Sequence, residues 1–140
     1  MPQMDDTERN KAVIKRFPLL LRAPDPVVID TLFTEDFRLH DAKYPDWPGG
    51  HDGALRMFVQ MTSLMPDIEA SIEDMFVAGD RLCVRWRYKG TVSGSFEGRK
   101  GDGSRFDGVG ISIYRFRDGR VAEDWGVDMA LPAGHPWRRD

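Results

Sequence analysis

Apolar side chains recur at helical spacing early in the chain and at alternate positions from Asp67 onward. Val13, Ile14, Phe17, Leu20 and Leu21 share one face of a predicted first helix, which Asp6 or Thr7 suits as an N-cap. Pro18 interrupts that pattern and predicts a kink or an early end near Phe17. Asp25 as N-cap and Pro26 at the first helical position predict a short second helix through Phe33. In HDGALRMFVQMTSLMP, the spacing of Leu55, Phe58, Val59, Thr62 and Met65 predicts a third helix, capped by Asp52 and ended by Pro66.

The period then changes to two. Ile68, Ala70 and Ile72 alternate with Glu69, Ser71 and Glu73, and Val84, Trp86 and Tyr88 alternate with Arg85, Arg87 and Lys89. AGDR (Ala78 to Arg81) and RDGR (Arg117 to Arg120) read as hairpin turns, so RFDGVGISIYRF and VAEDWGVDM become the third and fourth strands. SGSFEGRKGDGS, between the second and third strands, reads as a Gly-rich loop. FRLH is a short earlier strand, followed by an ordered loop that carries Tyr44 and Trp47. No repeat or linker divides the chain, so residues 1–140 are expected to form a single domain with short flexible N-terminal and C-terminal tails. Helices followed by a long meander predict an α+β domain, with N-terminal helices packed on a curved antiparallel sheet.

Composition narrows the function classes. The 140 residues suffice for one domain with a real core, 41% are hydrophobic and 31% charged, and the net charge is −3. Lys and Arg are dispersed, so no basic stripe points to nucleic acid or an anionic membrane. The longest apolar runs, such as FPLLL, are far too short to span a bilayer, and MPQMDDTERNK lacks the pattern of a signal peptide. A single cysteine, Cys83, rules out an internal disulfide and suits a reducing cytoplasm.

Several motifs can be set aside. GRKGDGS lacks the Lys-Ser or Lys-Thr ending of a phosphate-binding loop, and Gly108 and Gly110 fall within a strand rather than between a strand and a helix. No serine occupies a nucleophile elbow, and Cys83 has no signature of a catalytic thiol around it. His40-Asp41 and His51-Asp52 are His-carboxylate pairs of a metal-ligating type. Asp52 has a simpler use as a helix cap, His135 sits in a Pro-rich tail, and no metal is expected.

The chain from residue 8 to residue 130 resembles the SnoaL-like polyketide cyclase (ester cyclase) family of the NTF2-like superfamily. The resemblance is carried by a helix closed by Met65-Pro66-Asp67, the hairpin Val77-Ala78-Gly79-Asp80-Arg81, and Arg85-Trp86 followed by Lys89-Gly90-Thr91. After these come SGSFEG, IYRFRDGRV and Glu123-Asp124-Trp125. It implies a conical pocket between the concave face of the sheet and the helices, dimers through the outer face of the sheet, and cofactor-free chemistry. In the cyclases a carboxylate serves as acid-base for aldol ring closure of an aromatic polyketide ester. That carboxylate normally follows the tryptophan of the last strand, where this chain has Gly126, and a histidine found in some members corresponds to Ser112.

Alternation places Asp124, Gly126 and Asp128 on one face of the last strand, which makes Asp124 and Asp128 the candidate carboxylates for general acid-base catalysis. The competing arrangement puts Asp124 on a polar rim and Asp128 in solvent, because alternation alone does not set the register. His40 is the third catalytic candidate: the resemblance implies a polar residue at the pocket mouth there, and an imidazole near its ordinary pKa of about 6.5 transfers protons readily. Substrate-binding candidates are Trp86 and Tyr88 by alternation, the reverse assignment putting Arg85 and Arg87 in the pocket and favouring an anionic ligand, then Ser112 and Tyr114 on the next strand, with Tyr44 and Trp47 as a lid or as loop packing. The expected function is a cofactor-independent cyclisation, isomerisation, dehydration or carbon-carbon lyase step on a small hydrophobic, aromatic molecule of polyketide or phenylpropanoid type. The alternative is a non-catalytic ligand-binding or accessory dimerisation domain. A homodimer with a small-molecule substrate is the expected assembly.

Overall fold

Pro18 divides the first apolar helical stretch in two, giving helices α1 (Asp6–Lys15) and α2 (Phe17–Arg22). It lies in the first turn of α2, where its missing N–H needs no partner. The structure is a computed structural model that describes residues 6–129. Residues 1–5 and 130–140, including His135 and Trp137, and the side chains of Asp128 and Met129 lie outside the described set. Helix α3 (Pro26–Leu32) begins as expected: the Asp25 carboxylate accepts the N–H groups of Val27 and Val28 at 3.0 and 3.4 Å.

Strand β1 (Phe33–His40) leads through the loop 41–49 to helix α4 (Gly50–Leu64). The expected Asp52 cap is not formed; Gly49 is the N-cap and Asp52 sits in the first turn, where its charge still opposes the positive helix end. A Cβ on Gly53 would lie 1.8 Å from the Pro48 carbonyl oxygen, so only glycine lets the loop approach the helix this closely.

The remaining strands are β2 (Glu69–Ala78), β3 (Arg81–Thr91), the short pair β4 (Ser95–Phe96) and β5 (Arg99–Lys100), β6 (Arg105–Arg117) and β7 (Arg120–Met129). Thus the Gly-rich segment read as a loop contains a small hairpin. The main sheet has the order β1-β7-β6-β3-β2. Its neighbours are antiparallel except β1 and β7, which run parallel, so the expected antiparallel sheet is mixed. Alternation identifies the buried face of β1 but not its partner strand, and residues 41–119, more than half of the chain, serve as the crossover that a parallel pair requires. Register shifts within β2–β3, β6–β7 and β1–β7 mark the irregularities that bend such a sheet.

Helices α1 to α4 cover the inner face, where Phe33, Phe37, Leu82, Val84, Trp86 and Val121 are buried with Ile14, Phe17, Ile29 and Phe58 of the helices. The outer face carries charges in pairs. Glu123 is held below its ordinary 4.5 first by its hydrogen bond from Arg115, 2.7 Å away, and then by His40. Arg117 likewise lowers Asp36 and Arg87 lowers Asp107, while the Thr91 N–H lowers Asp67.

Carboxyl groups with folded pKa values below their unfolded ones contribute stability that is complete above about pH 4.5 and lost as pH falls through the folded values. Thermal denaturation followed by circular dichroism should therefore give a flat melting temperature from pH 7 to 5 and a fall below pH 4. A melting temperature that rises on acidification would contradict these pairings.

Candidate functional site

The register of three strands builds one wall. Trp86 and Tyr88 of β3 lie opposite Gly110 and Gly108 of β6, so each large ring has a neighbour without a side chain. On the next pair, Ser112 faces Gly126 and Tyr114 faces Asp124, while Leu39 of β1 stands beside Asp124 on its other side. These inner-face positions open on a cavity of about 190 Å³. Phe17 and Leu21 of α2 and Phe58, Gln60, Met57 and Met61 of α4 close it from the helical side.

The deepest polar groups are Asp124, only 4% exposed, Ser112 and Tyr114. Burial first, and then the nearby Asp124 carboxyl, push the Tyr114 phenol well above its usual 10.0, so it keeps its proton at neutral pH. A Cβ on Gly126 would stand 3.3 Å from Ser112 Oγ and 3.6 Å from Asp124 Oδ1. Glycine there leaves open the space between the two polar groups.

The loop 41–49 forms the mouth. Tyr44 and Trp47 pack with centroids 5.1 Å apart, and Gln60 Nε2 donates to the Tyr44 hydroxyl at 3.1 Å. Trp47 Nε1 donates to the Gly53 carbonyl at 3.0 Å, which ties the loop to α4. Arg56 lies over Trp47 and Phe96, at 5.2 and 5.6 Å, and pairs with Glu97, so the β4–β5 hairpin is tied to the same helix.

Asp124, Tyr44, Trp47, Trp86, Tyr88, Ser112 and Tyr114 all line this cavity. His40 does not. Because Leu39 points inward, His40 points to the outer face, where its side chain is 44% exposed. Its ring stacks on Trp125 at 5.0 Å, and Nε2 lies 2.8 Å from Glu123 Oε2. The sequence expectation of a histidine at the cavity mouth is corrected by this alternation. For Asp128 the structure describes the backbone, paired with Gly110; the side chain is outside the described residues. His51 bonds the Phe33 carbonyl through Nε2 at 3.0 Å and lies 3.5 Å from Asp30 through Nδ1. Among the described residues no group of three or more His, Cys, Asp or Glu is placed to hold a metal ion.

Two polar groups at the mouth were not among the catalytic or substrate-binding candidates: Asp41, weighed in the sequence only beside His40, and Lys43 both line the cavity. The signal for Asp41 was its position directly after β1, at the start of the loop that carries Tyr44 and Trp47.

The model of the SnoaL-like polyketide cyclase family matches residues 12–132. The chain belongs to this family. Solved structures share the fold. TsrD from Streptomyces laurentii is similar at 22% identity and TM-score 0.77, covering 90% of this chain and 91% of its own. A protein from Jannaschia sp. CCS1 described as a SnoaL-like polyketide cyclase is similar at 22% identity and TM-score 0.76, covering 91% and 90%. IdmH from Streptomyces antibioticus, described as a polyketide cyclase, is similar at 26% identity and TM-score 0.67, covering 85% and 91%. No functionally curated protein matches the sequence significantly. The NTF2-like cone of the SnoaL-like family is the fold seen here, with helices on a curved mixed sheet. No helix among the described residues is long and apolar enough to cross a membrane.

Proposed function

We propose that this SnoaL-like protein is a cofactor-independent enzyme that moves protons on a small, flat, aromatic substrate, with ring closure of a polyketide-like ester as the first reaction to test. The reading is carried by Asp124, a carboxyl buried beside the Tyr114 phenol in an aromatic-lined cavity. A carboxyl removed from water is costliest in its ionised form, which suits Asp124 to donate a proton while Tyr114 donates a hydrogen bond to the same oxygen. Isomerisation, dehydration and carbon-carbon lyase steps call on the same groups, so phenylpropanoid-type compounds belong in the same assay.

The test is incubation with aromatic polyketide esters and phenylpropanoid ketones, with products followed by mass spectrometry and chiral chromatography. Turnover without added metal or cofactor is expected. Tight binding of these compounds with no turnover would replace the enzyme by a ligand carrier. The single cysteine, Cys83, suits a reducing cytoplasm as its site of action.

The assembly proposed is a homodimer through the outer face of the sheet. Val109, Ile111 and Ile113 of β6 and Val127 of β7 form an apolar strip there, with Val127 72% exposed. Ile111 and Val127 are direct partners across the two strands, so the strip is continuous. Light scattering should give twice the chain mass, and Ile111→Lys should shift the protein to the monomer. A wild-type monomer at high concentration would exclude this arrangement.

A further inference from the structure

The inference concerns the same cavity and rests on the acid-base reading above. We propose that Asp41 is a second catalytic carboxylate, the base that removes a proton from carbon, while Asp124 and Tyr114 serve the oxygen of the same substrate.

The parallel pairing of β1 with β7 brings this about. Leu39 stands beside Asp124 and His40 beside Trp125, and Asp41 follows directly as the first residue of the loop that leaves β1. Leu39 and Asp41 both line the cavity, and the Asp41 side chain is only 14% exposed. Gly126 lines the same cavity without a side chain, so both carboxyl groups have access to one substrate.

Their surroundings differ. Asp41 Oδ1 accepts the Lys43 N–H at 2.9 Å, a local turn that orients the carboxylate, and Oδ2 is 3.9 Å from the Lys43 ammonium. Lys43 lines the cavity as well. One carboxyl therefore sits deep beside a phenol and the other at the mouth beside an ammonium. Paired carboxyl groups in unlike settings take the acid and base roles separately.

The substrate class that fits is an enolisable aryl ketone or ester. Its carbonyl oxygen points towards Tyr114 and Asp124, and its acidic C–H bond faces Asp41. The C–H bond breaks and the proton goes to the Asp41 carboxylate. The electron pair becomes the carbon-carbon double bond of the enol, and the carbonyl oxygen takes the Asp124 proton. Attack by the enol carbon on a second carbonyl of the same molecule closes a ring, with the enol O–H returning its proton to Asp124 and the new alkoxide taking the proton held by Asp41. Transfer of that Asp41 proton to a different carbon, again with the enol O–H returning its proton to Asp124, isomerises the substrate instead.

The probe is 2-tetralone in D₂O, with loss of its benzylic α-proton signal followed by ¹H NMR. Wild-type protein should accelerate the exchange above buffer. Asp41→Asn should lose that acceleration by ~100-fold or more, a typical worth of a positioned general base, while Asp41→Glu should recover part of it. Asparagine retains the Oδ1 acceptor, so the turn and the melting temperature should be preserved. Wild-type exchange in Asp41→Asn together with loss in Asp124→Asn would overturn the role of Asp41 and leave the acid-base reading intact. Unchanged exchange in both variants would remove both carboxyl groups. No exchange by the wild type would also overturn the proposal for Asp41, and the ester-cyclisation assay would then decide the wider reading separately.

Discussion

Asp124→Asn should lower turnover by ~100-fold or more, the usual range for loss of a positioned proton donor. Asparagine matches the carboxyl in size and still donates a hydrogen bond, but it cannot surrender a proton at neutral pH. The effect should fall on kcat rather than on substrate affinity, because Trp86, Tyr88 and Phe17 still supply the apolar walls. Single-turnover measurements beside equilibrium binding would separate the two quantities. Equal turnover in wild type and Asp124→Asn would remove Asp124 from the mechanism. A loss of binding with kcat unchanged would make it a recognition group. Asp124 faces Tyr114 across the β6–β7 pair, so Tyr114→Phe should give a smaller loss in the same direction, through loss of a hydrogen-bond donor alone.

Phe17→Ala should destabilise the fold by about 3–5 kcal/mol, the range for emptying a buried aromatic site. Phe17 is the ring on which the inner face converges. It stacks on Phe33 and Trp86, with centroids 5.6 and 6.4 Å away, and meets Phe58 and Tyr114 edge-on at 5.2 and 5.7 Å. For a domain of this size the melting temperature should fall by roughly 10–20 °C. Leu19→Ala, two positions along the same helix but exposed, should stay within about 0.5 kcal/mol. Calorimetry on the pair tests whether this aromatic cluster holds the cone closed. Because Phe17 also lines the cavity, the alanine variant should accept bulkier ligands while it remains folded.

Which parts of this picture were legible in the sequence follows from the range of the forces involved. Asp25 and Pro26 announce the start of α3 because capping is settled within four residues. The turn at Asp118-Gly119, with φ of 53° and 77°, is announced as clearly, since few residues tolerate that backbone. Trp86 and Tyr88 were placed inward by alternation, which depends only on the two-residue period of a strand. At α4 the local signal misled: Asp52 has a capping side chain, but the helix starts earlier, at Gly50, where the loop docks against its first turn. His40 was misplaced for a related reason. Its residue type suits catalysis, yet its orientation follows from the parity of β1, and Leu39 takes the inward position.

The sequence by itself determined the α+β class, the order of helices and strands, and the shared face of Asp124 and Gly126. Each of these follows from periodicity and local backbone preference. Only the tertiary structure decided that β1 pairs in parallel with β7, that His40 belongs to the outer face with Glu123 and Trp125, and that Asp41 joins Asp124 at the cavity. Strand partnership brings together residues some 80 positions apart in the chain, as in the His40–Glu123 pair. It is set by how the whole hydrophobic surface is buried, so no short stretch of sequence encodes it.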